Sequence, residues 1–168
     1  IWRHDVSGAA GVVINKKCQQ PDFKHICNEG TIHRLPKVNH PVYYGGPVLT
    51  NVVGVLHSTD YVLHSTNTLT QDKVGFTLDR QMLEAIAKGQ GPKNKLITLG
   101  MANWTTGQLE EELEHPRNPA MSWLIMDYDE KFVFGQLDDD KSDDLWDRCV
   151  SQAIRRKTRE ITSKVFKD

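Results

Sequence analysis

The sequence has no long apolar run, no excess of either charge and no leader-like start. Its hydrophobic stretches fall far short of the roughly 20 residues that span a bilayer, so neither a membrane protein nor a membrane partner is expected. Basic residues number 21 and acidic residues 22, which argues against a general nucleic-acid or membrane-surface binder. The chain begins at Ile1 without a charged segment or an apolar signal region. We expect a preceding piece of chain and a cytoplasmic protein.

Cysteine is also scarce, and no metal-binding pattern is present. Cys18, Cys27 and Cys149 form no C-x-x-C pair, so reduced thiols are expected. The cysteines and histidines between Cys18 and His40 fit none of the spacings of a tetrahedral zinc site. The aspartates that begin at Asp138 lack the glycine and the glutamate of a calcium loop. We therefore expect no metal and no other cofactor.

The 168 residues are enough for one domain with a substantial core. Short apolar segments rich in β-branched residues are mixed irregularly with helical patterns, which favours an α+β layered domain over a doubly wound parallel sheet. The predicted division is one domain at residues 1–154 and a basic helical extension at residues 155–168. Strands are predicted at residues 11–15, 42–44, 52–57, 61–65, 74–76, 96–99, 123–126 and 132–134.

Three helices are predicted from capping residues and apolar spacing. The first spans about residues 78–88, with Thr77 or Asp79 as its N-cap and Gly89 as its left-handed C-cap. The second follows a T-x-x-Q capping box at residues 105–108. The third begins after Ser142, and its predicted buried face comprises Trp146, Cys149, Val150, Ala153 and Ile154.

The Gly45-Gly46-Pro47-Val48 segment carries a strong turn signal. A phosphate-binding loop would need a lysine followed by serine or threonine at the start of a helix, because backbone amides and the helix dipole hold the anion together. No such lysine is present, and a strand is predicted to follow. We therefore interpret this segment as a tight turn.

The segment His57-Ser58-Thr59-Asp60 contains the residue types of a hydrolase triad. Neighbouring side chains of a strand point to opposite faces, so His57 cannot activate Ser58 and no catalytic residue is assigned. The motif Leu-His-Ser-Thr recurs at residues 63–66. A hairpin would place His57 opposite His64 as a metal-binding or pH-sensing pair, but Asp-Tyr is a poor two-residue turn and chance repetition is the alternative.

Three segments, in order along the chain, resemble signature sequences of the AlgH/YqgE family. Residues 11–16, GVVINK, are similar to its G-L-V-I-N-R strand. Residues 45–48, GGPV, followed by a Leu-His pair at 56–57, resemble its G-G-P-V…L-H segment. Residues 99–104, LGMANW, and 107–113, GQLEEEL, resemble its L-G-Y-A-G-W…G-Q-L-E-x-E-L signature. The resemblance covers most of the chain.

This resemblance implies a single α+β domain whose sheet curls toward a pseudo-barrel with three flanking helices. It also implies a further N-terminal strand ahead of Ile1. The family's label as transcriptional regulators implies a regulatory role, and the family offers no established catalytic residue or DNA-binding motif to carry over. Met101 and Asn103 replace its usual tyrosine and glycine, so the chain resembles a divergent member.

We expect a non-enzymatic regulatory or interaction protein, with a protein partner that the sequence does not identify. The alternative is an enzyme or a small-ligand binder with a site where the family motifs meet. We expect the Gly45–Val48 and Gly100–Trp104 segments to lie close together, with Trp104 at least half buried. The candidate ligand-binding residues of that site are Gly45, Gly46, His57, Asn103, Trp104, Gln108 and Glu110.

The basic tail is the feature that argues for nucleic-acid binding. Its cations are expected to stay exposed, so any affinity would come from counterion release and would be weak, non-specific and strongly salt-dependent. A DNA titration at low and high salt, with the full chain beside a chain truncated after Ile154, measures this dependence. Sequence-selective binding that survives high salt would contradict the charge argument. The cations concerned are Arg155, Arg156, Lys157 and Arg159.

Overall fold

The computed structural model describes residues 1–29, Ile32, and residues 36–69, 71–115, 123–135 and 145–165. The chain divides into two compact units, residues 1–109 and residues 110–168. The predicted α+β class is confirmed, and the described residues contain five helices where three were predicted. The strands are β1 (Arg3–Asp5), β2 (Gly8–Gly11), β3 (Val42–Tyr44), β4 (Val48–Ser58), β5 (Asn67–Leu69), β6 (Val74–Thr77) and β7 (Lys95–Trp104). The helices are α1 (Phe23–Glu29), α2 (Arg80–Ala87), α3 (Gln108–Glu114), α4 (Glu130–Val133) and α5 (Leu145–Val165).

The sheet of the first unit is assembled on β7. This strand pairs antiparallel with β4 along most of its length, in parallel with β3 at residues 97–99, and antiparallel with β2 at residues 102–104. The sheet order is β1-β2-β7-β4-β6-β5, with β3 also beside β7. Because three strands share β7 as a partner, its mostly buried residues 96–101 lie at the centre of the unit.

The sheet is curled, as the family resemblance implies. Trp2, just before β1, stacks on Phe76 of β6 with ring centroids 4.7 Å apart. Three strands separate β1 from β6 in the sheet order, so a flat sheet would hold the two strands roughly 19 Å apart. The ring contact therefore requires the sheet to bend and encloses both aromatic side chains, which are buried.

Two helices complete the core of the first unit. The Asp79 side chain accepts a hydrogen bond from Gln81 N at 2.9 Å, and Gly89 follows the helix with φ of +74°, so both predicted caps of α2 are confirmed. Apolar side chains of α1 and α2 pack with those of β3, β4 and β7. This cluster comprises Phe23, Cys27, Val42, Val55, Met82, Leu83, Ile86, Ala87 and Ile97.

The two glycine-containing family segments lie against each other, as predicted. The N–H of Gly45 donates to the carbonyl oxygen of Leu99 at 2.7 Å. Gly100 has φ of +74°, and a Cβ at this position would lie 2.4 Å from the carbonyl oxygen of Gly46. Such a close approach of two backbones requires glycine. Trp104 is more than half buried, which confirms the second part of the prediction.

Two predicted strands of the first unit are misplaced. Residues 61–65 are not a strand, because Thr66 N donates to Leu63 O at 3.0 Å and Leu63 N donates to Thr66 Oγ1 at 2.9 Å, which closes a turn. The strand that pairs with β6 is β5 instead. The strand predicted at residues 11–15 lies earlier in the chain, as β2, and the residues after Gly11 form only irregular backbone contacts with the β3 region.

Both strands predicted at residues 123–134 are wrong. Residues 123–129 have no regular structure, and their apolar side chains include exposed Trp123 and Ile125. Residues 132–134 belong to α4 and its C-cap, because the Asp129 side chain accepts a hydrogen bond from Lys131 N at 2.8 Å and starts a helical turn.

The predicted buried face of the last helix is wrong at two positions. Trp146 is 60% exposed and Ile154 is 57% exposed. The reason is that α4 lies beside the opposite, polar face of α5, where the Arg148 guanidinium sits over the ring of Phe132. Cys149, Val150 and Ala153 are partly buried. The predicted N-cap Ser142 lies outside the described residues, and the predicted boundary at residue 154 falls within α5.

None of the helices among the described residues combines the length and the apolar content that a bilayer crossing requires.

Gly100→Ala is expected to destabilise the fold more than Gly89→Ala. Both glycines have φ of +74°, so alanine meets the same left-handed strain, about 1–2 kcal/mol, at each position. Only at Gly100 does the new Cβ also collide with a carbonyl oxygen, whereas nothing lies within 4 Å of a Cβ at Gly89. That collision adds roughly 1–3 kcal/mol. Urea unfolding of both variants measures the difference, and equal losses would show that the close contact is dispensable.

Candidate functional site

Gly45 and Gly46 form a closed backbone contact rather than an open loop. A Cβ on Gly45 would lie 2.2 Å from the carbonyl oxygen of Gly100, and one on Gly46 would lie 2.3 Å from the carbonyl carbon of Met101. The inner face of this turn is therefore filled by the backbone of β7 and has no space for a ligand. The tight-turn interpretation accounts for both glycines.

His57 is fully buried near the end of β4. Its Nδ1 lies 2.9 Å from the carbonyl oxygen of Ser58, and its Nε2 lies 2.8 Å from Oγ1 of Thr77. A carbonyl oxygen can only accept, so Nδ1 carries a hydrogen. Burial lowers the pKa of His57 and favours the neutral ring, in which Nε2 accepts from the Thr77 hydroxyl. Both ring nitrogens have partners.

The hydrogen bonds continue beyond Thr77 in one direction. Oγ1 of Thr77 lies 2.8 Å from Oγ1 of Thr66, which in turn accepts from Leu63 N at 2.9 Å. Because Thr77 uses its hydrogen on His57, Thr66 is the donor to Thr77. The result is a satisfied polar chain from the Leu63 amide to the His57 ring, as burial of polar groups requires.

The repeated Leu-His-Ser-Thr motif does not form a histidine pair. His57 lies opposite Gly75 of β6, whereas His64 is exposed in the turn before β5. The second copy contributes Thr66 rather than its histidine to the buried chain. The two motifs therefore have different structural environments despite their identical residues.

Ser58 is engaged by the loop that follows β4. Its Oγ donates to the Asp60 carboxylate and accepts from Asn94 N at 3.0 Å. Neither ring nitrogen of His57 contacts this hydroxyl, since both have the other partners described above. The arrangement agrees with the expectation that these adjacent residues form no hydrolase triad.

The other candidate residues occupy the last two positions of β7 or lie on α3. Asn103 is exposed there and Trp104 is partly buried. Gln108 is exposed at the start of α3, and its side-chain oxygen accepts from Thr105 N at 3.0 Å, which forms one half of the predicted capping box. Glu110 is exposed on α3 and belongs to the second unit.

His57 and the pair Asn103 and Trp104 lie at opposite ends of β7. His57 pairs with Lys95, the first residue of β7, while Trp104 is the last. Nine residue steps along the strand separate Lys95 from Trp104. The structure therefore brings Gly45 and Gly46 to the middle of β7 and leaves His57 at one end and Asn103 at the other.

In the region rich in cysteine and histidine, Asp22 organises the start of α1. Its carboxylate accepts from Nδ2 of Asn39 at 2.6 Å and from the backbone N and Nδ1 of His25 at 3.0 and 2.6 Å. These hydrogen bonds hold the pKa of Asp22 well below its usual range. Among the described residues, no group of three or more histidine, cysteine and acidic side chains could hold a metal ion. His33 and the aspartates from Asp138 to Asp144 lie outside those residues.

The basic tail is described only in part. Arg155 is exposed on α5, as expected of a solvated cation. The α5 backbone continues through Arg156, Lys157 and Arg159, whose side chains lie outside the described part of the structure.

Thr66 and Thr77 are the residues that sequence reasoning does not assign to any site. A histidine in an apolar strand needs polar partners if it is buried, and this need is the signal that points to nearby hydroxyls. Which hydroxyls reach His57 depends on the pairing of β4 with β6 and on the turn before β5. The sequence predicts a strand at residues 61–65 in place of that turn.

Mild acid is expected to destabilise the protein through His57. Burial lowers the pKa of His57 in the folded protein, opposed by the Ser58 carbonyl and the charge of Asp60, while the unfolded chain has the ordinary value of about 6.5. Below that value the unfolded state takes up the proton first, so the free energy of unfolding decreases as pH falls. Burial, aided by the Lys95 charge, lowers the pKa of His40 and acts in the same direction. Urea unfolding at about pH 8 and about pH 5, across the histidine range, measures the loss.

The matched variants are His57→Gln and His64→Gln, which alter the buried and the exposed copy of the same motif. The first should weaken the pH dependence, and the second should leave it unchanged. NMR titration of the His57 ring in the natural chain provides the same test if His57→Gln does not fold. A His57 that titrates at the ordinary value would contradict the buried neutral ring.

Comparison with known proteins supports the motif resemblance over nearly the whole chain. A UPF0301 protein of Bradyrhizobium sp. is 36% identical over 148 residues, which cover 83% of this chain and 66% of the relative. A UPF0301 protein of Cereibacter sphaeroides is 38% identical over 142 residues, with coverages of 84% and 74%. The chain thus spans about two thirds to three quarters of the length of these relatives.

A solved structure gives the same result. The fold is similar to the solution structure of the AlgH protein from Pseudomonas aeruginosa, with a TM-score of 0.64 and 32% sequence identity. That match covers 78% of this chain and 67% of the AlgH chain. The family model described as AlgH-like matches residues 1–156. The chain therefore belongs to the AlgH-like family of uncharacterised UPF0301 proteins.

Proposed function

We propose that the protein is a non-enzymatic regulatory protein that binds a protein partner through α5. The observation that carries the proposal is the exposure of Trp146 and Ile154, two large apolar side chains on one helix. Tryptophan is enriched among the residues that dominate binding energy at interfaces. A helix that only covers its own core would bury such side chains.

The apolar residues of α5 form a stripe that fits the groove of a partner. At 100° per residue, Trp146, Val150 and Ala153 lie within about 60° of the helix circumference, and Ile154 borders them. Arg148 lies on the other side, over Phe132 of α4. An amphipathic helix with an outward apolar stripe is the form that hydrophobic grooves recognise.

The surroundings of the family motifs support a role other than catalysis. Gly45 and Gly46 are occupied by a backbone contact, and both ring nitrogens of His57 have partners. A general base or a metal ligand needs an available nitrogen. The alternative ligand site around Asn103 and Trp104 stays a prediction.

The regulatory role in this proposal rests on the family's label as transcriptional regulators. The proposed cytoplasmic location rests on the cysteines. Cys18, Cys27 and Cys149 are all free, which supports a reducing cytoplasm. Burial is the main cause that raises the pKa of each thiol, so none is activated as a nucleophile. Weak nucleic-acid binding by the tail remains the second option.

The substitutions Trp146→Lys and Ile154→Lys are each expected to weaken binding of the protein partner. Affinity capture from a lysate of the source organism, with mass spectrometry for proteins, nucleic acids and metabolites, identifies what the natural chain retains. Each variant should retain the partner at least about tenfold less, since a buried interface anchor contributes on the order of 2 kcal/mol.

Val38→Lys is the matched control, because Val38 is 63% exposed but lies in the first unit. It should retain the partner as the natural chain does, and circular dichroism should show unchanged helix content in all three variants. Equal retention by Trp146→Lys and Val38→Lys, or capture of nucleic acid alone, would contradict the proposal.

A further inference from the structure

A cleft with a mixed polar and apolar lining lies between α4 and α5, on the side of α5 opposite the apolar stripe. It is widely open to solvent, and its volume of about 420 Å³ lies within the range of roughly 300–1,000 Å³ of small-molecule sites. All of its lining residues belong to the second unit. They are Phe132, Asp147, Arg148, Ser151, Gln152 and Arg155.

The charge of this lining favours an anion. Two arginines and one aspartate line the cleft, so the lining carries one net positive charge. Ser151 and Gln152 lie between the two arginines in sequence and add neutral hydrogen-bond donors. Arginine binds phosphate and carboxylate oxygens through two parallel N–H groups, which gives geometric selectivity as well as attraction.

Arg148 is positioned before any ligand arrives. Its guanidinium carbon lies 5.3 Å from the centroid of the Phe132 ring. This cation–π contact restrains a long side chain, so less rotamer freedom is lost when the guanidinium binds an oxyanion. Arg155 follows seven residues later, about two turns or roughly 10 Å along the axis, within reach of the same ligand.

Asp147 distinguishes a small ligand from a nucleic acid. Its carboxylate also lines the cleft and would repel one of the closely spaced phosphates of a polynucleotide backbone. A ligand with a single phosphate can place that group at the arginines and direct a hydroxyl or amino group toward Asp147. The apolar ring of Phe132 then offers a surface for a flat organic part.

We propose that the cleft between α4 and α5 binds a small phosphate monoester, with Arg148 and Arg155 as the phosphate ligands. The proposal is independent of the partner surface, which occupies the other face of α5. Loss of one binding activity would therefore not require loss of the other.

Calorimetric titration and backbone NMR shifts of the full chain at low salt test this site, with adenosine monophosphate, inorganic phosphate and adenosine as probes. Adenosine monophosphate should bind at millimolar concentration or below and shift resonances of residues 130–135 and 145–155. Inorganic phosphate should bind more weakly, and adenosine should not bind. Arg148→Gln and Arg155→Gln should each weaken binding at least about tenfold, as expected for a lost charged hydrogen bond.

Arg80→Gln is the control, because Arg80 is an exposed helical arginine of the first unit that pairs with Glu84 at 3.1 Å. It should leave the affinity unchanged, while Arg148→Lys should give an intermediate loss because it keeps the charge but not the planar fork. The cation–π contact with Phe132 involves Arg148, so Arg155→Gln keeps the test valid if Arg148→Gln disturbs that packing. Three results would overturn the proposal. The first is that Arg80→Gln, Arg148→Gln and Arg155→Gln bind adenosine monophosphate equally well. The others are that adenosine binds without a phosphate, or that no resonance of residues 130–135 and 145–155 shifts.

Discussion

The close approach of two backbones, at Gly46 and Gly100, is the constraint on which the first unit depends. The turn before β4 lies directly on β7, and no side chain larger than hydrogen fits between them. This contact lets β3 and β4 both pair with β7 although they enter the sheet one after the other. The most recognisable family motif is therefore a requirement of the fold, and its glycines need no catalytic explanation.

The sequence predicts those features whose physical cause is local. Asp79 and Gly89 mark the ends of α2 because capping and left-handed backbone depend on single residues, and the paired glycines indicate a turn for the same reason. The strand predicted at residues 123–126 is wrong for the opposite reason. A short apolar run is typical of a buried strand, but the run itself does not show whether another strand lies beside it. The α5 stripe is similar: the spacing of Trp146 and Ile154 defines an apolar face but not what covers it.

The buried chain of hydrogen bonds at His57 shows the same limit in the candidate site. A lone histidine in an apolar strand is recognisable from sequence, but its partners come from β6 and from a turn eight residues after β4. The identical motifs at residues 56–59 and 63–66 lie in different environments. His57 is enclosed by paired strands, whereas His64 faces solvent. Local identity does not determine environment, so the hypothesis of a histidine pair could be decided only by the tertiary structure.

The position of β7 in the sheet has a consequence for biosynthesis. It is the last strand of the first unit in chain order, yet it supplies the common neighbour of β2, β3 and β4. While the chain has emerged from the ribosome only as far as residue 94, β2, β3 and β4 lack this shared partner, and the backbone groups that pair with it remain solvated until residues 95–104 emerge. Three of the six strand pairings in the described sheet therefore form only after β7 emerges, with the slow, high-contact-order kinetics of a sheet whose central strand is made last.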